Sequence, residues 1–184
     1  IWGVLWDGIE AYEEAIPTLL SLKSLKKPIL LLSNAPRRSD VVSNKLKKIG
    51  IPENLYDKII SSGEVCRQNF LKNKELLSKI GKSYYFIGQK DDELISEGLE
   101  LNRVSNIKKA NFLLVCGTRN FLDKIDTYLT ELKLGLKYKI PFVCANPDKV
   151  VTRKNGDVLI CAGKLASFYE QNGGTVYYFG KPNQ

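Results

Sequence analysis

Three short stretches place chemistry-bearing side chains directly beside apolar runs. The first, Ile1-Trp2-Gly3-Val4-Leu5-Trp6-Asp7-Gly8, carries two glycines that allow a tight backbone path. The second, Leu30-Leu31-Leu32-Ser33-Asn34-Ala35-Pro36-Arg37, sets a hydroxyl, an amide and a guanidinium just before a helix start. Such groups, with the free N–H groups of a helix N-terminus, can hold a phosphate-like anion. The third, Phe179-Gly180-Lys181-Pro182, puts a lysine after a strand and flanks it with glycine and proline. Taken alone, Ser33-Asn34-Ala35-Pro36 reads as an ordinary turn and Lys181 as a solvated lysine. The ordered set of all three lends them weight.

Composition removes whole chemistries. The 184 residues include no histidine, which excludes Ser-His-Asp triads, Cys-His dyads, phosphohistidine and histidine-ligated zinc. Cys66, Cys116, Cys144 and Cys161 form no CxxC pair, so a structural zinc site is not expected. Three of them, Cys116, Cys144 and Cys161, sit in apolar runs and read as small buried hydrophobes in a reducing, cytoplasmic setting. The net charge is +8, yet the lysines are scattered in pairs. That pattern argues for a solvated surface and against a nucleic-acid partner. No apolar run approaches the roughly 20 residues of a membrane span, and no signal peptide opens the chain, so no membrane partner is expected. The chain lacks methionine, opens inside a strand-like run and closes without a terminal element, and reads as an internal piece of a longer protein.

The elements that must position these residues alternate. Strands are expected at Ile1–Leu5, Pro28–Ser33, Lys58–Ser61, Tyr84–Ile87, Phe112–Cys116, Phe142–Ala145, Val158–Cys161 and Val176–Phe179. Ser39 is a good N-cap for a helix that Gly50 ends. Phe121, Ile125, Tyr128, Leu129, Leu132 and Leu136 mark a second helix, and Leu165, Phe168 and Tyr169 a third, stopped by Gly173-Gly174. Strands alternating with helices imply an α/β fold with mainly parallel sheets, whose ligands lie beyond the carboxyl ends of the strands. A break is expected near Gly81-Lys82-Ser83.

The stretches IWGVLWDG, ILLLSNAPRR, FVCANPD and CAGKLASFYEQNGGTVYYFGKP, in that order, resemble class IIA (NagD-like) hydrolases of the haloacid dehalogenase superfamily. The likeness is strongest to a subfamily whose first motif reads Asp-x-Trp-Gly-Val-Leu, and it covers essentially the whole chain. It implies a Rossmann-like parallel core sheet with an inserted smaller α/β cap: core over residues 1–81, cap over 82–176, and return to the core over 177–184. It further implies a Mg²⁺-dependent phosphatase of a small phosphorylated metabolite, a nucleotide or sugar phosphate, acting through an aspartyl-phosphate. The nucleophilic aspartate would stand immediately before Ile1. Ser33 would hydrogen-bond the phosphoryl oxygen, and Lys181 would offset the charge of nucleophile and phosphate. Trp2, Gly3, Asn34 and Arg37 would line the phosphate site, with Arg119, Asn146 and Asp148 reaching it from the cap. The carboxylates that complete the Mg²⁺ site would lie beyond Gln184, leaving Trp2 to offer a main-chain carbonyl. The resemblance also allows a homodimer through the cap.

One departure matters. Trp2 stands where most members carry the acid/base aspartate, and an indole can neither protonate a leaving group nor activate water. Asp7, several residues into the loop, is a poor replacement. A non-catalytic phospho-ligand-binding relative therefore stands as the alternative. A Rossmann-type nucleotide binder does not, since no Gly-x-Gly-x-x-Gly follows a strand.

Overall fold

The computed structural model describes residues 1–183. Its opening residues do not form the expected strand. Gly3 takes a φ of 73°, its N–H donates to the Trp6 carbonyl (2.8 Å), and Leu5 N–H donates back to the Ile1 carbonyl (2.8 Å). These bonds curl Ile1–Leu5 into a turn and leave Val4 71% exposed. Apolar composition signalled a strand, but the amides of Gly3, Val4 and Leu5 bond locally, to Trp6 and Ile1.

The chain continues through α1 (Ala15–Ser24), β1 (Leu30–Ser33), α2 (Ser39–Lys48) and β2 (Lys58–Ser61). β1 and β2 pair in parallel with Ser33 opposite Ser61. Arg38, not Ser39, occupies the N-cap of α2, a one-residue difference of the size at which helix ends fray. Leu19, Leu31, Val42, Leu46, Ile51 and Ile59 pack into a core of their own.

α3 (Ser62–Lys72) and α4 (Lys74–Ile80) lead into β3 (Ser83–Ile87), β4 (Asn102–Arg103), β5 (Phe112–Val115), α5 (Leu129–Lys137) and β6 (Phe142–Cys144). An antiparallel hairpin, β7 (Val150–Thr152) and β8 (Val158–Ile160), precedes α6 (Ala162–Gln171) and β9 (Val176–Tyr178). Five strands form one parallel sheet in the order β4-β3-β5-β6-β9, and β1 lies in a different sheet from β3. β9 carries that sheet across residues 176 and 177 to Tyr178.

The central strand β5 is an unbroken Phe-Leu-Leu-Val run because helices cover both of its faces. Phe112 and Leu114 pack on Cys66 and Phe70 of α3 and on Leu76 and Ile80 of α4. Leu113 and Val115 pack with Leu132 of α5 and with Leu165 and Tyr169 of α6. α3 and α4 thus lie on the sheet that follows Gly81. The pattern from Phe121 to Leu136 resolves into a 3₁₀ turn, Ile125–Tyr128, followed by α5, with Phe121 outside it. All four cysteines are buried and unpaired, and burial pushes the Cys144 and Cys161 thiols up to about 12, which makes them packing residues rather than nucleophiles. No helix among the described residues is long and apolar enough to cross a membrane.

Candidate active site

The loop after β1 is held by the start of α3. Ser61 Oγ donates to the Arg37 carbonyl (2.5 Å) and accepts from Glu64 N–H as the helix cap (3.2 Å). Ser62 Oγ lies within reach of two carbonyls, Ala35 (3.0 Å) and Ala145 (2.6 Å), and Gly63 N–H donates to Ala35 (3.1 Å). These bonds tie the loop to the carboxyl end of β6. Ser61 and Ser62 were missed by the sequence reading. The available signal was Ser-Ser-Gly-Glu after a strand, an N-cap pattern.

Asn34 is the junction between distant parts of the chain. Its amide nitrogen donates to Asp148 Oδ1 (2.8 Å) and to the Lys181 carbonyl (3.0 Å), while its amide oxygen accepts from Lys181 N–H (2.9 Å). Asn146 Oδ1 accepts from Asp148 N–H (3.0 Å), so Asn146 shapes the loop that presents Asp148. Gly180 makes the approach feasible. It has a φ of 109°, and a Cβ there would stand 2.9 Å from Asn34 Oδ1 and 2.7 Å from Ser62 Cβ. Ser33 Oγ accepts from Ala35 N–H (3.1 Å) at the same end of the cleft.

Ser33, Asn34, Arg37, Trp2, Asn146, Asp148 and Lys181 all line one cleft of about 840 Å³. Arg37 is committed within it: its Nε donates to Asp92 Oδ1 (2.6 Å) and its Nη2 to Gln89 Oε1 (3.1 Å). Burial pushes the Asp92 carboxyl above its usual range, and the Arg37 charge opposes that rise. Two expected residues fall outside the lining. Gly3 spends its amide on Trp6, and Arg119 places both terminal nitrogens on Glu131 (2.9 and 2.6 Å). Arg119, in the loop after β5, thus pairs with Glu131 of α5 and does not line the cleft. Asp7 is likewise spent, accepting from Ile9 N–H (2.8 Å) and Glu10 N–H (2.9 Å) in its own turn.

Trp2 is packed on several sides. Its ring centroid lies 5.1 Å from that of Trp6, and its indole N–H donates to the Thr152 carbonyl (3.1 Å) at the end of β7. The indole thus joins the first loop to the hairpin. Among the described residues no group of three acidic, cysteine or histidine side chains is placed to hold a metal ion.

Residues 1–128 match the family model for haloacid dehalogenase-like hydrolases. A haloacid dehalogenase-like hydrolase from Brucella suis 1330 is 30% identical over 99% of this chain and 64% of its own, with a TM-score of 0.89. A structure from Cytophaga hutchinsonii described as a possible sugar phosphatase of that superfamily is 25% identical over 98% of this chain and 65% of its own, with a TM-score of 0.74. The glycerol phosphate phosphatase of Mycobacterium tuberculosis, solved with calcium, shares the fold at 18% identity, a TM-score of 0.68, and coverage of 99% and 52%. No protein of curated function matches the chain. This chain spans slightly under two thirds of the length of the first two structures. The family match covers more than half of the chain, the Brucella fold superposes along nearly all of it, and Ser33 and Lys181 meet in one cleft; the chain belongs to the haloacid dehalogenase-like hydrolases.

Proposed function

We propose that the protein hydrolyses small phosphate monoesters, with Ser33 and Lys181 holding the phosphoryl group. The observation that carries this reading is the three-way clamp of Asn34 on Lys181 and Asp148. It fixes the backbone of a lysine beside a serine hydroxyl at the carboxyl edge of β1, which suits a dianion that must be approached by a second negative group. The likeness to a structure described as a possible sugar phosphatase supports a phosphomonoester substrate.

In this reading the aspartyl nucleophile would stand immediately before Ile1. Ile1 N donates to the Leu32 carbonyl (3.3 Å), and Ile1 lines the cleft together with Ser33 and Lys181. A preceding residue would therefore enter next to Ser33 and Lys181. Residues 82–176 act as the cap in this reading. Since the described residues assemble no magnesium site, no step is assigned to a metal.

The reading is tested by p-nitrophenyl phosphate turnover in the full-length protein, with and without chelator. Turnover is expected, and its absence against a panel of sugar and nucleotide phosphates would defeat the proposal. Turnover that survives chelation would remove Mg²⁺ from it.

Trp2 supplies a second check. General acid–base help is worth about 10²–10⁴-fold where it exists. Were Trp2 simply a lost acid, Trp2→Asp would raise turnover. Its tilted packing against Trp6 and its bond to Thr152 predict the reverse: Trp2→Asp, which loses both, lowers turnover, and Trp2→Phe, which keeps the aromatic packing, lowers it less. Steady-state kinetics on both variants decides between the two.

A further inference from the structure

Away from the Asn34–Lys181 clamp, the same cleft is walled by Trp2, Trp6 and Phe121, and Lys45 and Arg153 reach into it. Lys45 Nζ stands 4.8 Å from the centre of the Trp6 ring, and the Arg153 guanidinium lies 4.8 Å over Phe121. Neither cation makes an ion pair among the described residues. Arg153 Nε is buried and has no hydrogen-bond partner. Arg37, by contrast, is answered by Asp92.

An unmet buried donor and crowded like charges both cost stability. Partial burial holds the Lys45 ammonium below the usual lysine value, and the charges of Arg37, Arg153 and Lys48 add to that effect. The cleft's own carboxylates do not relieve it: Asp92 pairs with Arg37, Asp148 accepts from Asn34, and Asp91 pairs with neither cation. An anion bound between Lys45 and the Arg153 guanidinium would offset both unanswered charges. Aromatic faces beside the cations suit the carbon skeleton that would connect this anion to the phosphoryl group.

The geometry points to a second anion subsite, in which Lys45 and Arg153 hold a further carboxylate or phosphate carried on the leaving group of the substrate. The substrate class is then a phosphate monoester with two separated anionic groups, its skeleton lying along Trp2 and Trp6. This inference rests on the phosphatase reading for the position of the first anion.

Binding, not turnover, tests it. Phosphonocarboxylates graded in chain length are titrated into the full-length protein by calorimetry, each against the alkylphosphonate of equal length. At the length that spans the cleft, the carboxylate should improve affinity by about tenfold or more, the scale of one charge-assisted hydrogen bond. In Lys45→Gln/Arg153→Gln the advantage should fall to about threefold or less. The wild-type comparison needs no variant to fold. Equal affinities at every length, an advantage that survives the double substitution, or no phosphonate binding at all would each overturn the subsite. Absence of p-nitrophenyl phosphate turnover with the carboxylate preference intact would instead count against the phosphatase reading alone.

Discussion

Lys181→Ala is expected to lower kcat for p-nitrophenyl phosphate by at least about 10²–10³-fold, the cost of losing one preorganised charge-stabilising group. The size follows from how the lysine is held. Asn34 grips its main chain from both sides, at 2.9 and 3.0 Å, and Gly180 at a φ of 109° brings the segment close enough for that grip. Removing the side chain leaves those contacts in place, so the loss reports the charge and not a displaced loop. Ser33→Ala, which removes a single neutral donor, should cost less. Steady-state kinetics with circular dichroism on both variants checks the order. A Lys181→Ala protein that is folded and fully active would remove the lysine from the mechanism.

The second large effect is expected from a residue without a side chain. Gly63 lies in the first turn of α3 against the loop that follows β1. A Cβ there would fall on the main-chain nitrogen of Arg37 and 2.5 Å from the Pro36 carbonyl carbon. Both are backbone atoms, so no rotamer change can relieve the overlap. Gly63→Ala should therefore cost about 1–3 kcal/mol of stability, the usual range for overpacking. It should also displace the loop that carries Asn34, and a shift of about 1 Å in a positioning element can lower turnover by about 10²-fold. Urea denaturation and kinetics measured on the same preparation test both halves. An unchanged midpoint together with unchanged turnover would show that the loop yields freely.

Much of this arrangement was legible in the residues. Phe112–Cys116 reads as a strand from its apolar run, and Phe112–Val115 is one, buried on both faces at the centre of its sheet. Ser33, Asn34 and Lys181 stood out as an ordered set although 147 residues separate Asn34 from Lys181. Local patterning failed where the decisive partner was remote or very close. Ile1–Leu5 has the composition of a strand, yet the amides of Gly3, Val4 and Leu5 bond only to Trp6 and Ile1 and the segment turns. β4 and β7 are two and three residues long and leave almost no period to read.

The two arginines draw the boundary most clearly. In sequence, Arg119 and Arg153 are equivalent: each is a cation in a polar segment after an apolar run. The fold gives Arg119 a carboxylate on the next helix, Glu131, and thereby removes it from the cleft. The same fold lays Arg153 on Phe121, buries its Nε, and supplies no acid. A residue's type determines which charge it carries. Whether that charge is spent inside the protein or kept for a ligand depends on which groups come within a few ångströms, and only the tertiary structure sets that distance.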